Sequence, residues 1–276
     1  KNKTKKNIET EMVSKITDDD NEYFISKKII DYGKKNKINV DNYLCLIQDK
    51  CDSIDSLNNK IKKSCGIKNS TYLKINRIHL YSLNMKDCGV TINSFIKEKK
   101  ISSSQFEKYI IHLLKGLNIL HKCNILHADI KEPNILILDN KPKFIDFGGS
   151  ISVKNLSLNK FPYQIISTFS YRPPEIVFIF QIVSNVLNYY TYLQRYNHYH
   201  FSNLLIQEAG LDTTLNKNIF KDSEKIIGYY SNITSNKEFN KFCKEFKKNI
   251  LKFDVYSLGK TFEYLIKDYK IPINQK

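Results

Sequence analysis

The sequence predicts an α+β fold, and three stretches of it carry that expectation. A short strand-like run, MVSKIT (12–17), is followed at once by a helical pattern, NEYFISKKIIDYG (21–33). A long amphipathic helix at 102–123 leads into two short apolar runs separated by a turn. A mostly apolar helix, ILKFDVYSLGKTFEYLI (250–266), closes the pattern and carries one acid, Asp254.

In chain order, the first helix is expected to end at Gly33. NYLCLI (42–47) and RIHLYSLNM (77–85) are the next strand candidates. In SSSQFEKYIIHLLKGLNILHKC (102–123), Ser104 and Glu107 fit a capping box. Phe106, Ile110, Leu113, Leu114, Leu117 and Leu120 recur at the spacing of one apolar helix face. After it comes a short strand, then a polar loop, then a strand at 135–138. A turn at Asp139-Asn140-Lys141-Pro142 and a strand at 143–145 complete a hairpin. Gly148 and Gly149 end that order.

Composition narrows the class. Of the residues, 41% are hydrophobic and 12% aromatic, enough for a real core. No apolar run reaches the ~18 residues of a membrane span, and Gln181, Ser184 and Asn185 interrupt the nearest, EIVFIFQIVSNVL. The first residues lack the apolar stretch of a secretion signal, so the chain reads as intracellular, and as a piece that does not start at Met. Six cysteines form no Cys-x-x-Cys pair; neither zinc nor a disulfide framework is expected, and they read as small buried hydrophobes. The net charge is +16, yet Arg77, Arg172 and Arg195 are the only arginines. The lysines are scattered among Asn and Ile, which reads as a solvated basic surface rather than a nucleic-acid stripe; acidic partners stay open.

The polar loop is the informative part. ILHADIKEPNILIL (125–138) sets His127, Asp129, Lys131 and Asn134 between apolar runs, and Asp146-Phe147-Gly148 ends the hairpin that follows. STFSYRPPE (167–175) and DVYSLG (254–259) come next. Taken in this order, the four motifs resemble the catalytic core of eukaryotic-type protein kinases, over roughly 12–175 and 250–266. The HADIKEPNIL and YRPPE variants and the Lys/Asn-rich style resemble the kinases of large cytoplasmic DNA viruses. The resemblance implies a two-lobed fold. A truncated small lobe would span 1–86, and a mostly helical large lobe 87–276, with an insertion at about 176–250.

It also implies a function: transfer of the γ-phosphoryl group of ATP, with Mg²⁺, to Ser or Thr hydroxyls of a protein substrate. Asp129 would orient the acceptor hydroxyl and take its proton, with Lys131 against the transferring group. Asn134 and Asp146 would hold the metal. His127 would pack beneath the loop. Lys15 resembles the strand lysine that grips the phosphates, and Glu22 its helix partner. Met85 would border the adenine pocket, to which Lys86, Asp87 and Cys88 would offer backbone groups. Thr168 resembles the substrate-proximal threonine; with Lys131 it implies a Ser/Thr acceptor. Asp254 resembles the buried acid that ties the catalytic loop from below.

Several features depart from the family pattern. Glu22 stands only seven positions after Lys15, and Ser26 stands where an apolar residue is usual. The fourteen residues before Lys15 contain no glycine, so no Gly-x-Gly-x-x-Gly loop is seen. Ala128 replaces the usual arginine, which argues against activation through a loop phosphate. The excess chain between Glu175 and Asp254 reads as a module packed back on the large lobe, replacing its usual last helices. Within it, NYYTYLQRYNHYHF (188–201) reads as a helix covering that lobe rather than a stacking platform for nucleic acid. Two other readings stay open: a small-molecule kinase of the aminoglycoside or choline type, and a pseudokinase scaffold.

Overall fold

The computed structural model describes residues 12–52, 81–156 and 236–272. Its first sheet is antiparallel with strand order β1-β3-β2, built from β1 (Met12–Thr17), β2 (Ile47–Asp52) and β3 (Tyr81–Lys86). β1 keeps the expected bounds. β2 does not: the run 42–47 was read as the strand, and β2 starts where that run stops. Leu44, Cys45 and Leu46 are buried as a connector instead. The Cys45 amide donates to the Phe144 carbonyl at 2.8 Å, and Phe144 N to Tyr43 O at 3.2 Å. Among the described residues, β2 proper is an edge strand, where one side of the ribbon is left unpaired and polar residues such as Gln48 and Asp49 are at home.

Helix α1 (Asn21–Asn36) follows β1 and runs past Gly33, ending on Lys37 in the left-handed region at φ 56°. Gly33 serves close packing rather than termination. A Cβ there would lie 2.7 Å from Val40 Cγ1. Ser26, fully buried, accepts the Ile47 amide at 3.1 Å, so the departure at this position joins α1 to the start of β2.

After β3, the short β4 (Val90–Thr91) enters helix α2 (Ile92–Glu98), with Thr91 Oγ1 accepting the Ser94 amide at 3.3 Å. Helix α3 spans Ser103–Lys122. Its N-cap is Ser102, whose hydroxyl accepts Gln105 N at 3.2 Å, not Ser104 with Glu107. Both pairs obey the same spacing, and three consecutive serines left the register open. The buried face is Phe106, Tyr109, Leu113, Gly116, Leu117, Ile119 and Leu120, while Leu114 is exposed.

Strand β5 (Ile125–Leu126) precedes the polar loop, and β6 (Ile135–Leu138) with β7 (Lys141–Phe144) form the hairpin. Asp139 and Asn140, at φ 52° and 58°, make a two-residue turn whose twist matches the flanking strands. The predicted turn therefore loses Lys141 and Pro142 to β7. Pro142 is tolerated there because the β4-β6-β7 sheet has β7 at its edge. β8 (Ile151–Ser152) pairs with β5. Helices α4 (Asn236–Asn249) and α5 (Lys252–Tyr269) complete the described chain. The core gathers Ile25 and Ile29 of α1, Leu113, Leu117 and Leu120 of α3, the hairpin's Ile135, Ile137 and Phe144, and Leu258 and Leu265 of α5.

Two cysteines correct the sequence reading. Cys45 and Cys88 are joined by a disulfide, with Cα atoms 6.2 Å apart. The pairing is long-range, and spacing along the chain gave no sign of it. Among the described residues, no helix is long and apolar enough to cross a membrane.

Candidate active site

The hairpin positions the site. Its last strand pair is Ile135 opposite Phe144, and one step beyond, the Ile145 amide donates to the Asn134 carbonyl at 3.1 Å. Asn134 and Asp146 therefore leave the same open end of one hairpin. On that side the polar loop folds on itself. Lys131 Nζ lies 3.0 Å and 2.9 Å from the two carboxylate oxygens of Asp129. Asn134 Nδ2 donates to the Asp129 carbonyl at 2.9 Å and to its Oδ2 at 2.8 Å. Both Asn134 partners are pure acceptors, which fixes the amide nitrogen toward Asp129 and leaves Oδ1 as the atom that could ligate a cation.

Asp254 holds the loop from below. It is 1% exposed, and its two carboxylate oxygens accept the backbone amides of His127 at 2.7 Å and Ala128 at 3.0 Å. Ala128 sits at φ 67°, a region that is unfavourable for a residue with a Cβ and is held here by that carboxylate. His127 is fully buried between Phe144 and Phe147. Its Nε2 lies 3.1 Å from the Ile145 carbonyl, which can only accept, and Nδ1 receives the Asp129 amide at 3.4 Å. With both nitrogens engaged, the ring packs under the loop, as the sequence reading had it.

The second cluster joins the sheet, α1 and the hairpin end. Lys15 Nζ is 2.8 Å from Glu22 Oε2 and 2.8 Å from Asp146 Oδ1. Burial pushes the Asp146 carboxyl up, but the Lys15 hydrogen bond and charge outweigh it and hold the group below its ordinary value. Burial likewise lowers Lys15, while its bonds to Asp146 and Glu22 carry it above the usual lysine value. Glu22, 3% exposed, spends its other oxygen on the Phe147 amide at 3.0 Å. Asn21 adds bonds to the Gly148 and Ser150 carbonyls at 2.9 and 3.1 Å. The first turn of α1 thus grips Asp-Phe-Gly by backbone as well as charge. Sequence reasoning missed Asn21, because nothing local announces a contact 127 residues away.

Met85 stands in β3 opposite Val13 and Ile47. Asp87 turns its carboxylate onto the Gly89 amide at 2.8 Å, and Cys88 is tied to Cys45. Thr168, with the rest of STFSYRPPE, lies outside the described residues, as does the insertion up to 235. The residues fit a magnesium ion. Asn134 Oδ1 and the Asp146 carboxylate are hard oxygen donors, and Mg²⁺ is bound through one or two such groups together with substrate phosphates. Gly148 leaves room beside them, since a Cβ there would lie 3.5 Å from Asp146 Oδ1 and 3.9 Å from Lys15 Nζ.

Residues 11–258 match the family model described as "Protein kinase domain". The chain belongs to this family. Among curated relatives, it is 27% identical to mouse dual specificity protein kinase TTK over 153 residues, which is 52% of this chain and 18% of that protein. It is 30% identical to Candida albicans extracellular signal-regulated kinase 1 over 112 residues, 40% of this chain and 26% of that one. The transforming protein mos of Myeloproliferative sarcoma virus matches at 35% over 80 residues, 29% of this chain and 23% of the other. The kinase domain described here thus spans about a quarter or less of the length of these relatives.

Proposed function

We propose that this protein kinase domain is a Ser/Thr protein kinase that transfers the γ-phosphoryl group of ATP to hydroxyls of protein substrates. The observation that supports the reading best is the hairpin end, from which Asn134 and Asp146 emerge together, each in contact with the residue it needs: Asp129 for one, Lys15 for the other. Asp129 would orient the acceptor hydroxyl and take its proton. Lys131, already paired to Asp129, would offset negative charge on the transferring group. Lys15, oriented by Glu22, would hold the nucleotide phosphates, and Met85 with the backbone of 86–88 would receive the adenine. Mg²⁺ at Asn134 and Asp146 would supply neutralisation of phosphate charge.

Lys131 and Thr168 carry the Ser/Thr preference. The division into a small lobe, 1–86, and a large lobe, 87–276, belongs to the same reading. A place beside the kinases of large cytoplasmic DNA viruses rests on the wording of HADIKEPNIL and YRPPE.

The test is transfer of labelled phosphate from ATP to a Ser/Thr peptide. Asp129→Asn should keep MgATP affinity and lose on the order of 10³-fold in rate. Asp146→Asn should also lose the magnesium-dependent part of nucleotide affinity. Full transfer by Asp129→Asn would overturn the assignment. Wild-type protein that binds MgATP and transfers nothing would favour the pseudokinase, and transfer confined to small alcohols the small-molecule kinase.

A further inference from the structure

Lys15 and Lys50 stand in one row of the first sheet. Both are opposite the same residue of the central strand, the fully buried Leu83. Directly opposed residues project on one face, so both lysines project on the face that buries Leu83. Each meets an acid at the start of α1. Lys15 reaches Glu22 at 2.8 Å, and Lys50 reaches Asp20 at 3.1 Å.

Asp20 occupies the N-cap position of α1, where a carboxylate ordinarily accepts amides of the first turn, yet it makes no side-chain cap bond. Asp19 takes that role, accepting Asn21 N at 2.8 Å. Asp20 is thereby left for Lys50. The lysine is itself enclosed: its Nζ lies 4.5 Å from the Tyr81 ring centroid and 5.6 Å from those of Tyr23 and Phe24. Tyr23 and Phe24 belong to the first turn of α1, and Tyr81 to β3. The side chain is 17% exposed, so these attractions act with reduced screening by water.

We propose that Lys50 is a positioning residue for the Lys15–Glu22 pair. It fastens the N-terminus of α1 to the sheet two residues before Glu22, so that the sheet holds the helix start at two points of one row. The inference rests on the kinase reading for its effect on rate, but not for its effect on the helix.

The experiment uses the full chain with Lys50→Gln, Lys50→Arg, Asp20→Asn and the Lys50→Gln/Asp20→Asn double variant. Each is assayed for kcat and for KM of ATP with a Ser/Thr peptide, and for hydrogen exchange of the α1 amides. Lys50→Gln should lower kcat/KM for ATP about tenfold and speed exchange of residues 23–26 by a similar factor, with one cooperative unfolding transition retained. Lys50→Arg should recover most of both, because it keeps the charge over the rings. The double variant should be no worse than the worse single one. Wild-type exchange and rates in Lys50→Gln, or equal damage from Arg and Gln, would overturn the proposal. If the wild-type chain transfers no phosphate, the kinase reading fails, while the exchange data still decide the role of Lys50.

Discussion

Asp146 shows how one side chain can set the charge state of another. Its carboxyl is depressed because Lys15 outweighs the cost of burial. A depressed carboxyl adds stability above its unfolded value, near pH 4, and loses it as pH falls through the lower folded value. Lys15 is raised, so its share is present below about pH 10.4 and lost as pH rises through its folded value. Between those limits the contact is constant. The melting-temperature difference between wild type and Asp146→Asn should therefore be flat from about pH 5 to 9 and should shrink below about pH 4. Both side chains are about 40% exposed, so the difference is small, on the order of 1 kcal/mol. A difference that grows on acidification would contradict this assignment of charge.

At the scale of elements, local chemistry decided some boundaries and hid others. MVSKIT gave β1 to the residue, and the hairpin followed from its turn residues. In the candidate site, Asp129, Lys131 and Asn134, read together from one short motif, touch within one loop. Of the contacts between distant parts of the chain, the hold of Asp254 on the loop was implied by the resemblance, while others were not legible. Glu22 with Phe147, Asn21 with Gly148 and Cys45 with Cys88 arise only when sheet, helix and hairpin meet. β2 escaped because an edge strand needs no apolar alternation, and the apolar run beside it drew the assignment instead. The α3 cap can be tested directly. Ser102→Ala should cost about 1 kcal/mol in urea unfolding, while Ser104→Ala should cost a few tenths at most. The reverse order would restore the capping box at Ser104.

At the scale of the whole molecule, the long connection after Glu175 ends on a packed helix. Its described end, α4, does not stand apart. Phe246 is 4% exposed and meets the Phe253 ring of α5 at 5.1 Å between centroids, and Ile250 between them is 1% exposed. The contact joins α4 to the first turn of α5, the turn that carries Asp254. Phe246→Ala should then cost about 3–5 kcal/mol, read from the midpoint of denaturant unfolding. A cost below 1 kcal/mol would mean that α4 lies on the domain without contributing to it.

The bond between Cys45 and Cys88 changes what kind of object the chain is. It turns residues 45–88 into a closed ring within the chain. A single cut at any peptide bond between them opens the ring but releases nothing, so the two pieces travel as one molecule until a reductant separates them. In the unfolded state the same ring denies the chain a share of its disorder, worth about 4 kcal/mol for a loop of this length on the entropic account. A cut between β2 and β3 would therefore leave both strands on one molecule, beside the edge proposed to receive the nucleotide.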